Sequence, residues 1–202
     1  MPSSVSHALA AVAIGAPLAP PRTTPRYWVV GILCSVTLDL DAVGRVFGGG
    51  DLAVVGGHRA LTHSLLFAVV VGMLATWTAF RDAHWDGARL RIAAYLILAT
   101  ASHGILDAFT SYGSGVAFLF PLTPVRYSSP WRPLNGLNEA LYIWTPAILL
   151  IAVAWRVNAR RRRPDPTSHG APNTRTRGNR SRSSTAISES RAATIRGSAR
   201  SA

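Results

Sequence analysis

Five apolar runs, separated by polar or glycine-rich connections, set the pattern of this chain. They cover residues 5–20, 27–38, 60–80, 92–106 and 140–155. A membrane-spanning helix needs about 20 mostly apolar residues. The third run reaches that length with no formal charge when its histidine is neutral, and the last two reach it when their flanks are included. The pattern therefore predicts an all-α, multi-pass transmembrane protein with about four to five membrane segments.

The first two runs are short, and their assignment stays open at this point. As a helix, residues 27–38 would rise only about 18 Å, which also fits a re-entrant or half-buried segment. Residues 1–20 lack the positively charged start of a signal peptide, so cleavage is not favoured. Residues 42–59 are glycine-rich and predicted to be mobile, whereas the aromatic side chains in 108–138 indicate an ordered functional loop.

Composition divides the chain into two parts. Its 202 residues include 21 basic residues, all arginine, and 9 acidic ones, for a net charge of +12. Residues 158–202 hold 11 of the arginines against Asp165 and Glu189 and contain no aromatic side chain. Such a segment cannot offset its ordering entropy by burial. We therefore predict a membrane-embedded domain over 1–157 and a disordered Arg/Ser/Thr-rich tail over 158–202.

The arginines also predict an orientation and a partner. If the runs cross in alternation, 21–26, 81–91 and the tail share one side, and this side carries most of the arginine. Cytoplasmic loops are enriched in arginine and lysine, so the tail is predicted to be cytoplasmic and the loop 108–138 external. Without aromatic side chains the tail offers bases no stacking surface. Membrane lipids, rather than nucleic acid, are the expected partners.

Most ionisable side chains of the body fall at the opposite, arginine-poor membrane edge. This set comprises His7, Asp39, Asp41, His58, His63, His103 and Asp107. His103 and Asp107 are four residues apart, so on a helix they share one face and can reach one cation. Imidazole and carboxylate ligands suit a divalent metal, Zn²⁺ first and then Mn²⁺ or Fe²⁺. Seven donors exceed the needs of one tetrahedral ion, which leaves room for two metals or for a general base.

Three arginines lie on the same side as these donors. Arg59, Arg126 and Arg132 lie on the predicted external side, where arginine is otherwise scarce. We expect them either to hold an anionic part of a substrate or to anchor the protein to lipid phosphates. His84 and His169 lie on the other side or in the tail and are predicted to be solvent-exposed. The single Cys34 excludes a disulfide framework. The chain contains no Walker loop, GxSxG elbow or HExxH motif.

Two histidine motifs carry a family resemblance: HRALTHS at 58–64 and SHGILDA at 102–108. Together with His7, the DLD at 39–41 and the RYSSPW at 126–131, they resemble the YdjM-like family of predicted inner-membrane, metal-dependent hydrolases. The match covers about residues 5–155. Ala60 replaces the usual glycine and Leu38 stands where proline commonly precedes the first aspartate, but neither departure removes a ligand type.

The resemblance implies a multi-pass protein of a bacterial-type inner (plasma) membrane with hydrolase chemistry. The His-x-x-x-Asp pair is also similar to zinc phospholipase C sites, which favours a phosphoester substrate. The expected function is a membrane-bound metal-dependent hydrolase with an external site, acting on a lipid or other phosphoester. Its metal would lower the pKa of a bound water, Asp39 or Asp41 would accept the proton, and Arg59 would hold the anionic substrate.

Two other functions fit the same residues. In a transporter, the histidines and aspartates would relay ions, and no hydrolysis would occur when metal is supplied. In a membrane-anchored interaction protein, the basic tail would bind lipid or nucleic acid and the histidines would be structural. Deleting 158–202 would then abolish function, whereas changing His103 would not.

Overall fold

The computed structural model describes residues 2–39, 41 and 56–161, and their secondary structure is helical. The α-helices are α1 (Ser4–Leu18), α2 (Pro25–Val36), α3 (Leu65–Ala79), α4 (Arg89–Ala108) and α5 (Thr145–Arg161). Short 3₁₀ turns cover Leu61–His63 and Ala83–Ala88, and a π-turn over Ala140–Trp144 leads into α5. Within the described residues, strand pairing is limited to two isolated bridges. The predicted all-α class is therefore confirmed.

The third apolar run is divided between a turn and a helix. We expected residues 60–80 to form one spanning segment, but α3 begins only at Leu65. Ser64 ends the preceding 3₁₀ turn and caps α3, because its hydroxyl accepts a hydrogen bond from the Phe67 amide at 3.1 Å. With 15 residues, α3 rises about 22 Å, less than the roughly 30 Å hydrocarbon core of a bilayer.

Helix α4 lies at the centre of the packing. Helices α1, α2 and α3 each pack against it, and α5 packs against α1. The shared core contains fully buried Tyr27, Phe80, Tyr95 and Leu96. Helix α3 approaches α4 closely at Gly72, where an added Cβ would lie 2.7 Å from the Ile97 backbone nitrogen. The absence of a side chain at this position therefore brings the two backbones together.

Among the described residues, one helical stretch, Ala140–Arg160, is long and apolar enough to cross a membrane. Most of its residues are exposed, which distinguishes it from the core helix of a water-soluble protein. Helices α1 and α3 are apolar but shorter. Helix α3 also exposes large apolar side chains, including Met73, Leu74 and Trp77. An apolar surface of this kind is suited to contact with lipid.

The connection between α4 and α5 returns to the body of the domain. Backbone bridges pair Thr110 with Leu134 and Val116 with Tyr127, and Val116 is fully buried. The Ser129 amide donates to the Ala108 carbonyl at 2.8 Å, which holds the loop against the end of α4. The predicted mobility of 42–59 falls mainly on residues outside the described part, as does the predicted disorder of the tail from position 162 onward. Helix α5 itself continues to Arg161, past the boundary predicted at 157.

Candidate metal centre

All seven predicted donors meet at one end of the helices. His7 lies in α1, while Asp39 and Asp41 follow α2. The remaining donors lie just before α3 (His58, His63) and in the last two turns of α4 (His103, Asp107). We call these seven residues the donor cluster. Six of them are buried, and the side chain of Asp39 is 27% exposed, so the cluster has a solvent-facing member.

Four members of the donor cluster form a compact group around His63. One ligand atom each from Asp39, His58, His63 and Asp107 lies within 4.8 Å of the others. The His63 Nε2 is 3.4 Å from Asp107 Oδ2 and 3.7 Å from Asp39 Oδ1. Two imidazole nitrogens and two carboxylate oxygens form a donor set that a divalent metal can accept.

A second group joins His7, His103 and Asp107, again with ligand atoms within 4.8 Å. The two imidazole rings stack with their centroids 3.7 Å apart and an angle of 13° between their planes. The predicted helical pair is present, because His103 Nε2 lies 4.0 Å from Asp107 Oδ2. Asp107 therefore belongs to both groups.

Hydrogen bonds at Nδ1 fix the orientation of three imidazoles. The Nδ1 of His103 donates to the Ser35 carbonyl at 2.6 Å, because a carbonyl oxygen can only accept. The Nδ1 of His58 is 2.7 Å from Asp41 Oδ1. The Thr62 hydroxyl donates to the other Asp41 oxygen and can accept from His63 Nδ1 at 2.9 Å. The Nε2 atoms of His58 and His63 have no hydrogen-bond partner among the described residues, whereas that of His103 lies 3.2 Å from Asp39 Oδ1. This resembles metal-binding histidines, which donate their other N–H to an outer partner.

The position of His63 depends on a close backbone approach. An added Cβ at Gly104 would lie 2.8 Å from the His63 carbonyl oxygen. Glycine at 104 thus allows the 3₁₀ turn Leu61–His63 to rest on α4 directly beside His103. Sequence spacing alone does not show this contact, since 41 positions separate Gly104 from His63.

Arg59 supplies the positive charge next to Asp107. Its backbone has a φ of 65°, the left-handed region, and its side chain is buried. The guanidinium Nε lies 2.9 Å from Asp107 Oδ2 in an ion pair that is not aligned as a hydrogen bond. Its other nitrogens donate to the Tyr112 carbonyl at 2.6 Å and the Thr110 hydroxyl at 3.3 Å. Arg59 therefore joins Asp107 to the loop that follows α4.

The other two arginines predicted near the site make different contacts. Arg126 donates to the carbonyls of His58 at 3.1 Å and Gly115 at 3.3 Å, so it braces the segment that carries His58. Arg132 is exposed and donates to the Ser129 carbonyl at 3.0 Å. These are contacts within the loop regions, and substrate binding by Arg126 and Arg132 stays a prediction. His84 is exposed, as predicted, and His169 lies outside the described residues.

Contacts between carboxylates and imidazoles shift the pKa values of His63, Asp39 and Asp41, which lie outside the α-helices. Burial alone would lower the pKa of His63, but Asp107, Asp39 and Asp41 raise it to about 10. Burial would also raise the pKa values of Asp39 and Asp41, yet the neighbouring imidazoles hold both well below their ordinary range. The cluster thus strongly favours a positive charge between its carboxylates, whether carried by a proton or by a metal ion.

Several buried donor atoms lack a hydrogen-bond partner among the described residues. They are both ring nitrogens of His7, the Nε2 atoms of His58 and His63, and both carboxylate oxygens of Asp107. Buried polar atoms are rarely left unpaired in folded proteins. These four residues all belong to the two groups whose ligand atoms lie within 4.8 Å of one another, which fits a cation site.

Three supporting residues were missed by sequence reasoning. Ser35 and Thr62 hold imidazole nitrogens; Thr62 stands beside His63 within the HRALTHS motif, whereas the Ser35 carbonyl carries no sequence signal. Glu139 is buried and accepts from the Ser3 amide at 2.9 Å and from the Ser3 hydroxyl at 2.8 Å, which ties the start of α1 to the start of α5. A lone acid directly before an apolar run is the signal that could have identified Glu139.

Comparisons with known proteins agree with the membrane character of the chain. The family described as "YdjM inner membrane protein" matches residues 1–164. The inner membrane protein YbcI of Escherichia coli (strain K12) is 31% identical over 173 residues, which cover 77% of this chain and 98% of that protein. The uncharacterized protein YvsG of Bacillus subtilis (strain 168) is 37% identical over 90 residues, covering 44% of this chain and 49% of that protein. No solved structure matches the chain.

Proposed function

This chain belongs to the YdjM inner membrane protein family, and on that premise we propose that it is a membrane-bound, metal-dependent hydrolase. One observation carries the proposal. Three buried imidazoles, those of His58, His63 and His103, each have Nδ1 held by another group. The Nε2 atoms of His63 and His103 lie 3.4 Å and 3.2 Å from carboxylate oxygens, and the Nε2 of His58 has no hydrogen-bond partner among the described residues. Histidines that only stabilise a core have no need of this shared orientation.

Within this proposal, Asp39, His58, His63 and Asp107 hold the principal ion. Their nitrogen and oxygen donors suit Zn²⁺ first, with Mn²⁺ and Fe²⁺ as alternatives. When bound, such an ion supplies Lewis acidity, which lowers the pKa of a coordinated water and polarises a phosphoryl oxygen. Asp41 contacts His58 and Thr62, so we assign it as the carboxylate that orients His58.

Asp39 is the residue best placed to move a proton. Its side chain is 27% exposed, whereas those of Asp41 and Asp107 are 1% and 0% exposed. In hydrolysis of a phosphoester, the water oxygen forms a bond to phosphorus and the ester oxygen leaves with its electron pair. The Asp39 carboxylate, with one oxygen on the ion, would accept the proton from the attacking water on its other oxygen and pass it to the departing oxygen.

Arg59 acts through Asp107 in this account. Its ion pair offsets one of the three carboxylate charges, and its bonds to Thr110 and Tyr112 fix the loop beside the site. We therefore assign Arg59 as a positioning residue. Two of its nitrogens retain a further N–H, through which the predicted contact with an anionic substrate can still form.

We place the site at the external membrane edge and the arginine-rich tail in the cytoplasm. Support comes from the concentration of arginine at the opposite ends of the helices, around 22–26 and 81–91. The apolar surfaces of α3 and α5 favour several crossings rather than one. A metal centre at the end of such helices is within reach of lipid headgroups, so the proposed substrate is a lipid or other phosphoester.

Hydrolysis can be tested on detergent-purified protein that is stripped of metal and reloaded with Zn²⁺ or Mn²⁺. The substrates are a chromogenic phosphodiester and phospholipid vesicles. We expect turnover only after reloading, a decrease of about 10²- to 10⁴-fold in Asp39→Asn, and no change in the control His84→Ala. A metal-loaded wild type that hydrolyses nothing, but carries cations across vesicle membranes, would contradict a hydrolase and favour transport.

A further inference from the structure

His7 is a buried polar residue that has no role in the principal ion site. It is fully buried in α1, and neither ring nitrogen has a hydrogen-bond partner among the described residues. No outer partner holds one nitrogen, in contrast to His58, His63 and His103. The principal ion does not account for His7, because that donor group does not include it.

The two oxygens of Asp107 face different imidazoles. Its Oδ1 lies 3.9 Å from His7 Nε2, whereas its Oδ2 lies 3.4 Å from His63 Nε2 and 4.0 Å from His103 Nε2. The His103 Nε2 also lies 3.2 Å from Asp39 Oδ1. Neither oxygen is satisfied by a hydrogen bond among the described residues. A carboxylate that presents one oxygen to each of two nitrogen donors has the arrangement of a bridging ligand between two cations.

We propose that His7, His103 and Asp107 hold a second divalent transition-metal ion, which Asp107 bridges to the ion at His58 and His63. This inference rests on the proposed metal centre, and it does not depend on hydrolytic activity. The second group offers two imidazole nitrogens and one carboxylate oxygen within 4.8 Å, so positions remain for water or substrate.

Helix α2 joins the two histidines of the second group. The Ser35 carbonyl accepts the Nδ1–H of His103 at 2.6 Å, and the Ser35 hydroxyl donates to the His7 carbonyl at 3.2 Å. One buried residue thus fixes the backbone of His7 and the ring of His103. The pair is therefore held by three helices, α1, α2 and α4, before any ion binds, which is the preorganisation that a metal site requires.

The charges of the site determine what a second ion adds. Asp39, Asp41 and Asp107 carry three negative charges, and Arg59 offsets one of them. One divalent ion would bring the buried cluster to neutrality, whereas two would leave it with two positive charges. A hydroxide and a singly charged phosphodiester together balance that excess. The two-ion centre therefore selects anionic phosphoesters over neutral esters or amides.

Metal stoichiometry and magnetic coupling test the inference. Full-length protein in detergent is stripped of metal, reloaded with Mn²⁺, separated from free ion by gel filtration and analysed by elemental analysis and electron paramagnetic resonance. We expect two Mn²⁺ per chain with an exchange-coupled spectrum in the wild type. His7→Asn should retain one ion with an uncoupled six-line spectrum. The control His84→Ala should retain two.

Each other outcome is decisive. One ion in both the wild type and His7→Asn would overturn the second site and leave the first intact. Two ions in His7→Asn, or a loss in His84→Ala, would place the second ion elsewhere and overturn the assignment. No bound Mn²⁺, Zn²⁺ or Fe²⁺ in the wild type would overturn the proposed metal centre itself. If His7→Asn does not fold, as judged by gel filtration and thermal melting, His7→Gln and the wild-type stoichiometry still decide.

Discussion

Replacing Asp41 with asparagine changes an outer partner of the proposed metal centre without removing a proposed ligand. One Asp41 oxygen lies 2.7 Å from His58 Nδ1, and the other accepts from the Thr62 hydroxyl and lies 3.5 Å from His63 Nδ1. The substitution keeps the size of the side chain and removes its negative charge. Both imidazoles would then be oriented by a neutral group and would be weaker ligands.

The size of the effect follows from the lost contacts. A hydrogen bond to a charged group is worth about 1.5–3 kcal/mol, and each 1.36 kcal/mol corresponds to about tenfold in affinity. The change at His58 alone therefore predicts a metal affinity lower by about 10- to 100-fold, in line with the loss of outer partners in other metal sites. The number of ions bound at saturation should not change.

A competition titration measures this effect. Metal-stripped wild type and Asp41→Asn compete with a fluorescent chelator for Zn²⁺, and elemental analysis gives the saturating stoichiometry. Asp82→Asn is the matched control, because Asp82 is an exposed carboxylate paired with Arg26 at 2.8 Å, away from the donor cluster. Thermal melting of the stripped proteins separates a loss of folding from a loss of affinity.

Two results would refute the reasoning on Asp41. An affinity equal to that of the wild type would show that His58 needs no orienting carboxylate. A lower saturating stoichiometry, matching that of His58→Asn, would show that Asp41 is itself a metal ligand, as its sequence position first indicated. Only weaker binding at unchanged stoichiometry supports the assigned role.

Three further substitutions test the contacts that hold the donor cluster and its helices in place. Gly104→Ala places a Cβ 2.8 Å from a backbone oxygen and should destabilise the protein by about 1–3 kcal/mol. The control Gly87→Ala, with no atom within 4 Å of the new Cβ, should leave stability unchanged. Equal melting temperatures for the two variants would contradict the close approach. Arg59→Leu leaves Asp107 buried without its counter-charge and should lower the free energy of unfolding by about 3–5 kcal/mol. Added Zn²⁺ should restore part of this loss. A melting temperature equal to that of the wild type would argue against the ion pair. Burial opposes ionisation of Glu139, but hydrogen bonds from Ser6 and Ser3 hold its pKa below its ordinary value of 4.5. Its stabilising effect is therefore present above that pH and is lost as the pH falls below it. Glu139→Gln should therefore flatten the decrease of melting temperature in acid, and an unchanged acid profile would count against it.

The helices were predictable from the sequence to a greater degree than their ends. Each of the five apolar runs contains most of one helix, because burial and lipid contact both require apolar side chains. The apolar pattern did not separate the turn Leu61–His63 from α3, since both lie in one run without a formally charged side chain when His63 is neutral. The capping bond of Ser64 and the close approach at Gly104 decide that boundary, and the second of these is a tertiary contact.

The donor cluster was predictable where local spacing or a shared membrane edge was enough. His103 and Asp107 follow from helical spacing, and the remaining donors follow from the ends of neighbouring apolar runs. The distinction between a ligand and its outer partner depends on which oxygen meets which nitrogen, so the sequence alone did not separate Asp41 from Asp39. The hydrogen bond from Arg126 to the His58 carbonyl could not be predicted from the sequence either, because an arginine near a site can bind an anion or donate to a backbone carbonyl.

The metal content of the purified protein shows whether the donor cluster is a metal centre. Wild type and Asp107→Asn, extracted from membranes without chelators, are compared by elemental analysis, and X-ray absorption reports the atoms around any bound metal. We expect at least one divalent transition-metal ion per wild-type chain, with imidazole scattering at ligand distance, and its loss in Asp107→Asn. No stoichiometric metal in the wild type, or equal metal in both proteins, would contradict it.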